Sequence, residues 1–294
     1  MLNEKSMLVV LHLGMIGNST TDAKASAELQ RSHGSADGRL TARKKLFAKT
    51  NLDPKVQLHR KIRKYHHDKT LPWGNNNERL LPTASYLGYV EQLRQFRLQD
   101  DKLTEDFILN YRPYVDQARH DLGTAFNADD YYSECDLREQ FGMDTSFKPV
   151  PDAGDWRISL QREAMDELRN QLNTEHAAAE RAARNDLLRR IAEPLCVLVN
   201  RLSDPEAKLQ TRSTAAFLDN VRAVCDVIPA LNITQDAEIE AIRKQIFSTL
   251  YQANPVALTE SAPARGHAMQ KAQEILTRME SYFGAAEAVS SMAA

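Results

Sequence analysis

Apolar positions three and four residues apart dominate this chain and predict helices over most of its length. The exception comes first. Met7–Leu13 (MLVVLHL) is a continuous apolar run of strand length, ended by Gly14 and Gly17. Residues 18–42 are small, polar and punctuated by glycine, which reads as a mobile loop with about one helical turn. Pro54 suits the first turn of a helix reaching Lys69, with Asp53 as its cap. Leu58, Ile62 and Tyr65 give that helix one narrow apolar face, and Arg60, Lys61, Arg63 and Lys64 cover much of the rest.

Residues 70–82 (TLPWGNNNERLLP) read as a loop, because two prolines and a glycine interrupt them. Thr83 opens a helix whose buried face is Tyr86, Tyr89, Val90, Leu93 and Phe96. A further helical region from about Thr104 carries Phe107, Tyr111, Val115, Ala118 and Leu122, and Pro113 should kink or split it. Ser133–Phe141 reads as a short helix with a capping serine, stopped by Gly142. Phe147–Arg157 is extended, and Trp156, Ile158 and Leu160 then alternate with polar residues as in a half-buried strand. That strand could pair with Met7–Leu13 in a two-stranded sheet.

From Gln161 to Leu202 the helical spacing is sustained through a charged, Ala-rich sequence, a helix of roughly 60 Å with Pro194 near its end. Two amphipathic helices follow at 213–228 and 235–250, then a linker over 254–266 and a last helix from Met269 to Phe283. The expected fold is mainly α with a small β element (α+β). Residues 1–160 form a helical module around the short sheet. Residues 161–284 form an antiparallel helical bundle or coiled-coil-like arm, and 285–294 a disordered tail.

Composition adds little to this picture, and charge adds one feature. The 294 residues are 42% hydrophobic and 27% charged with net charge −2, an ordinary globular balance. No run approaches the roughly 20 apolar residues of a membrane span. Glu4 and His12 speak against reading the N-terminus as a signal peptide. Three widely spaced cysteines, Cys135, Cys196 and Cys225, read as reduced thiols, two of them in the core. A cytoplasmic protein is expected. Between Arg43 and Lys69, however, ten Lys/Arg stand against two acids, with Tyr65, Trp73 and Arg79 interleaved or close behind. Several cations on one surface suit phosphates, and an aromatic beside them can stack a base. The candidate nucleic-acid contacts are Lys44, Lys45, Arg60, Lys61, Arg63, Lys64, Lys69, Trp73 and Arg79. The competing reading docks the basic stretch on residues 100–139 of the same chain, where eleven acids face four bases.

The familiar enzyme motifs for nucleotide, dinucleotide, serine-hydrolase and zinc-protease chemistry do not occur. His66-His67-Asp68 is the one tight His/Asp cluster, but adjacent helical residues diverge by about 100°. The carboxylate pairs Asp100-Asp101, Glu105-Asp106 and Asp129-Asp130 suit helix starts and caps as well as they suit metals. No catalytic residue, metal or cofactor is assigned.

The order of blocks Thr70-Leu71-Pro72-Trp73-Gly74, Arg79-Leu80-Leu81-Pro82, Asp130-Tyr131 and Pro149-Val150-Pro151…Gly154-Asp155-Trp156-Arg157 resembles an uncharacterised protein family common in tailed bacteriophages and prophages. The resemblance covers roughly residues 7–250. It departs from the family at Ile16-Gly17-Asn18 and at Tyr132. It implies structural roles for Pro72, Trp73, Gly74, Pro82, Asp155, Trp156 and Arg157. It also implies a protein of the host cytoplasm, encoded among DNA-metabolism genes or near a MoxR-like AAA+ ATPase. The expected function is therefore a non-enzymatic accessory protein that binds single-stranded or unwound DNA. The alternatives are an adaptor for such an ATPase, docking through the long helix, and a self-assembling homo-oligomer without a ligand.

Overall fold

The computed structural model describes residues 2–74, 77–151, 162–203 and 209–281. Its first half runs α1 (Leu2–Lys5), β1 (Ser6–Gly14), β2 (Ser19–Asp22), α2 (Ala23–His33), β3 (Ala42–Lys45), α3 (Lys49–Lys69), β4 (Leu71–Pro72) and β5 (Arg79–Pro82). There follow α4 (Tyr86–Leu109), α5 (Tyr111–Leu122), α6 (Glu134–Leu137) and β6 (Gly142–Pro149). The remainder is helical: α7 (Arg162–Ser203), α8 (Thr211–Leu231), α9 (Ala237–Thr249), α10 (Pro255–Glu260) and α11 (Ala262–Glu280). Helices with two small sheets make this a mainly helical α+β fold, the class the spacing predicts.

The sheet is larger than expected and differently paired. β1 lies inside a four-stranded sheet of order β4-β5-β1-β6. Its antiparallel register with β5 runs from Ser6 opposite Pro82 to Val9 opposite Arg79, and β4 adds Leu71 opposite Leu80. The expected strand at 156–160, and Asp155, Trp156 and Arg157 with it, lie outside the described residues. Residues 70–82 are a strand–turn–strand, not simply a loop. Pro72 stands on an edge strand, where a missing N–H costs no ladder bond. Leu80 and Leu81 are both fully buried, so this strand shows no alternation that could have announced it.

The chain divides into two compact units that are discontinuous in sequence. One comprises residues 1–10, 68–86 and 147 onward; the other comprises 11–67 and 87–146. In the first unit, Leu187, Leu188, Ile191, Leu195 and Leu198 of α7 share one core with residues of α8, α9 and α11. Leu8, Leu71, Trp73 and Leu80 of the sheet belong to the same core. Helix α7 is thus a central element, buried at intervals from Leu172 to Leu202 rather than projecting as an arm. The expected linker at 254–266 is instead α10 and the start of α11. Asn254 and Ser261 accept N-cap hydrogen bonds from Val256 and Ala264, and a proline follows each cap at the start of its helix. Proline there is preorganised for the first helical turn, so it starts these helices rather than breaking them.

The blocks around Thr70 and Arg79 hold the junction between sheet and bundle. Thr70 is fully buried. Its carbonyl accepts from Arg79 Nη2 at 3.1 Å and Arg190 Nη2 at 2.8 Å, and its hydroxyl accepts from Arg79 Nε at 2.6 Å. Arg190 also donates to the Asp68 carbonyl and to the Asp186 carboxylate, so one guanidinium satisfies the open end of α3. Trp73 meets His176 edge-to-face at 5.6 Å. Gly74 turns the chain at φ 51°, a left-handed conformation that favours glycine.

In the second unit Phe47, Leu52, Phe107, Tyr111 and Leu137 make the core, with Phe107 against Phe47 and Phe141 at 5.5 and 5.6 Å. Residues 18–42 are not a loop there. Strands β2 and β3 pair from Ser19 opposite Lys45 to Asp22 opposite Ala42, and Asp22 caps α2 between them. Helix α4 continues through Thr104 to Leu109, and the split expected near Pro113 falls at Asn110. Helix α3 begins one turn earlier than Pro54 suggests.

Trp73→Ala should lower stability by about 3–5 kcal/mol, the cost of emptying a large buried aromatic site. Urea unfolding followed by circular dichroism measures it; a loss below 1 kcal/mol would mean that the indole does not anchor this core.

Candidate nucleic-acid interface

Helix α3 carries the strongest positive patch that the sequence shows. At about 100° per residue, Leu52, Lys55, Leu58, His59, Ile62 and His66 fall on one side and are buried. Arg60, Lys61, Arg63 and Lys64 fall on the opposite side, and all four are exposed. The buried side is only half apolar, which is why sequence periodicity understates it.

Its polar members meet Asp100 of α4. Lys55 Nζ donates to Asp100 Oδ1 at 2.6 Å and to Thr104 Oγ1 at 2.7 Å. His59 Nε2 lies 2.8 Å from the same carboxylate oxygen. The Lys55, His59 and Asp100 side chains are at most 3% exposed. Burial pushes the Asp100 carboxyl up, but the His59 and Lys55 hydrogen bonds and charges outweigh it and hold the group below its ordinary value. Lys55 Nζ also sits 5.0 Å over the Phe141 ring. Among the described residues, His59 Nδ1 and Asp100 Oδ2 have no hydrogen-bond partner. One turn further on, His66 Nδ1 lies 2.6 Å from the Tyr89 hydroxyl, and Tyr65 stacks on Tyr89 at 5.8 Å.

This is a positioning cluster. Sliding α3 by one residue would turn it by about 100° and leave Lys55 and His59 facing apolar side chains. The cluster therefore fixes which face of α3 points outward. The sequence points to Asp100 as a helix-start acid; the structure places it inside α4 as the partner of two bases.

The other sequence-predicted contacts are scattered. Lys44 is turned inward, donating to the Ala125 carbonyl at 2.6 Å and pairing with Asp130 at 2.8 Å. Lys45 is exposed at the end of β3. These two and the α3 quartet share one unit; Lys69, Trp73 and Arg79 belong to the other. Trp73 is 9% exposed and part of the bundle core, and Arg79 is committed to Thr70. The basic stretch and the acidic segment 100–139 do meet, through Lys44 with Asp130 and Lys55 with Asp100. The α3 quartet has its own face.

Among the described residues no group of three or more His, Cys, Asp or Glu converges on a common metal position. His66 is buried and His67 exposed, as their divergence requires. The Cys225 thiol is pushed up to about 11 by burial, and Cys135 is exposed. No described helix is long and apolar enough to cross a membrane. Comparison with protein-family models, with curated proteins and with solved structures finds no match.

Removing Asp100 while leaving Lys55 buried should cost about 3–5 kcal/mol in Asp100→Ala, and the double variant Lys55→Met/Asp100→Leu should cost less. The stability that Asp100 supplies should be complete above its unfolded value near 4 and fall as pH drops through its lower folded value. Chemical unfolding of wild type and Asp100→Asn between pH 7 and pH 2 checks the sign; parallel curves would refute it.

Proposed function

We propose that this chain is a phage-type accessory protein of DNA metabolism that binds single-stranded or unwound DNA through the outer face of α3. The observation that carries this reading is the exposed quartet Arg60, Lys61, Arg63 and Lys64, held outward because the opposite face is locked to Asp100. Four cations along about five residues of a helix present a short, rigid row of phosphate donors. Such a row reads backbone charge rather than base edges, so binding is tolerant of sequence. The sequence suggests Trp73 as the stacking residue; its place in the bundle core removes that part of the reading and leaves the phosphate contacts.

Neutralising these phosphates is not chemistry on them, and the buried Lys55–Asp100–His59 group is sealed from any substrate in this arrangement. The resemblance to a phage family supports the same biological setting. The ATPase-adaptor alternative has less behind it, because α7, its proposed docking arm, is occupied by the bundle core.

Anisotropy titration of a labelled single-stranded oligonucleotide at 50 and 200 mM salt tests the reading. Four phosphate contacts on a single strand give a log–log salt slope of about −3, or roughly fiftyfold weaker binding across that range. Replacing all four residues with Ala should flatten the slope while leaving the fold intact, since none of them is buried. No affinity at 50 mM salt would mean that the face is only solvated.

A further inference from the structure

The second unit contains an open cleft of 390 Å³ that no sequence motif announces. Tyr111, Tyr131, Tyr132 and Val115 line it together with Arg112 and Asp116 of α5. Its volume lies in the range of small-molecule sites, and its lining combines apolar walls with a few polar groups. Two of the tyrosine hydroxyls are already used in holding the walls: Tyr111 donates to the Tyr132 carbonyl at 3.0 Å, and Tyr131 to the Leu46 carbonyl at 3.0 Å. Those rings offer their π surface rather than their hydroxyls. Tyr132 is 42% exposed.

The chemistry of this lining is selective. Aromatic rings suit a flat π system. A guanidinium and a carboxylate on one helix, four residues apart, offer a donor set and an acceptor set together. A purely anionic ligand would be repelled by Asp116, and a purely cationic one by Arg112. A nucleobase meets all three conditions, since it is planar and carries donors and acceptors on one edge.

The strand behind the cleft supplies the matching cations. Lys44 and Leu46 hold the segment 125–131, through the Ala125 carbonyl, Asp130 and the Tyr131 hydroxyl. Along β3 the burial alternates, so Lys44 faces in while Arg43 and Lys45 are exposed. Exposed cations therefore flank the inward residue that reaches the cleft wall.

We infer that the cleft of Tyr111, Tyr131 and Tyr132 takes one unpaired nucleobase of a single-stranded nucleic acid whose adjoining phosphates lie on Arg43 and Lys45. This rests on the reading of the α3 face as a nucleic-acid surface, and it replaces Trp73 with a stacking platform in the same unit as that face.

Two oligomers of equal length separate the terms: single-stranded oligodeoxythymidine and its abasic counterpart, which has the phosphates without the bases. Wild type should prefer the first by about tenfold, the size of one stacking contact. Tyr132→Ala should abolish the preference while keeping the affinity for the abasic strand. Tyr132 is the right position because its backbone carbonyl, which Tyr111 uses, survives the substitution. Equal binding of the two strands by wild type, or an unchanged preference in Tyr132→Ala, overturns the cleft and leaves the phosphate surface standing. If neither strand binds, NMR titration with free deoxynucleosides decides. Shifts of tyrosine ring resonances in wild type but not in Tyr132→Ala support the cleft although the α3 reading fails. No shifts overturn both.

Discussion

The bond network of Lys55, His59 and Asp100 sets the terms for everything on the outside of α3. A buried ion pair is a poor source of net stability, because desolvating two charges offsets most of their attraction. Its strength is discrimination. Rotating or shifting α3 against α4 would leave a cation without its carboxylate in an apolar interior. Hydrophobic packing alone is more forgiving of such shifts, and the apolar content of this face is low. With Leu58 and Ile62 as its main aliphatic members, the helix needs a polar device to hold one orientation. The orientation is what places four consecutive-turn cations in water.

The helical spacing from Met165 onward was legible because the bundle is built from long, regular, apolar-striped helices, and each stripe meets a core. Legibility failed where elements are short or where polar residues are inside. Strands β4 and β5, of two and four residues, give no period to detect, and their prolines read as breakers. The residues 254–266 read as a linker because proline and alanine carry no charge pattern, although Asn254 and Ser261 are helix caps. Lys55, His59 and His66 were counted as solvent-facing by type. What could have flagged them is the narrowness of the apolar face on α3: a helix of this length buries more than Leu58, Ile62 and Tyr65 can cover, so some polar positions had to be inside with partners.

Trp73 shows the limit of reading function from neighbours in sequence. A tryptophan after a run of cations suggests a stacked base, yet the surroundings of an indole are tertiary. Here they are set by Arg190, which lies far along the chain and bonds the carbonyls at the end of α3. No local pattern links Arg190 to Thr70. The blocks shared with a phage family are thus the parts that join strand to bundle, which explains why they can be recognisable without revealing an activity.

The same rule of alternation governs both candidate surfaces. On β3 the inward Lys44 is neutralised by Asp130 while Arg43 and Lys45 stay outside; on α3 the inward Lys55 is neutralised by Asp100 while Arg60, Lys61, Arg63 and Lys64 stay outside. The acidic segment 100–139 therefore does two things with its charge. It spends Asp100 and Asp130 on inward cations, and it balances the chain to a net −2 without covering the outward ones. A sequence average reports neutrality, and a periodic reading reports a basic stretch opposed by an acidic one. Only the partition into inward and outward positions shows that the opposition is local, which leaves the outward cations available to a polyanion at distances inside a Debye length of about 8 Å.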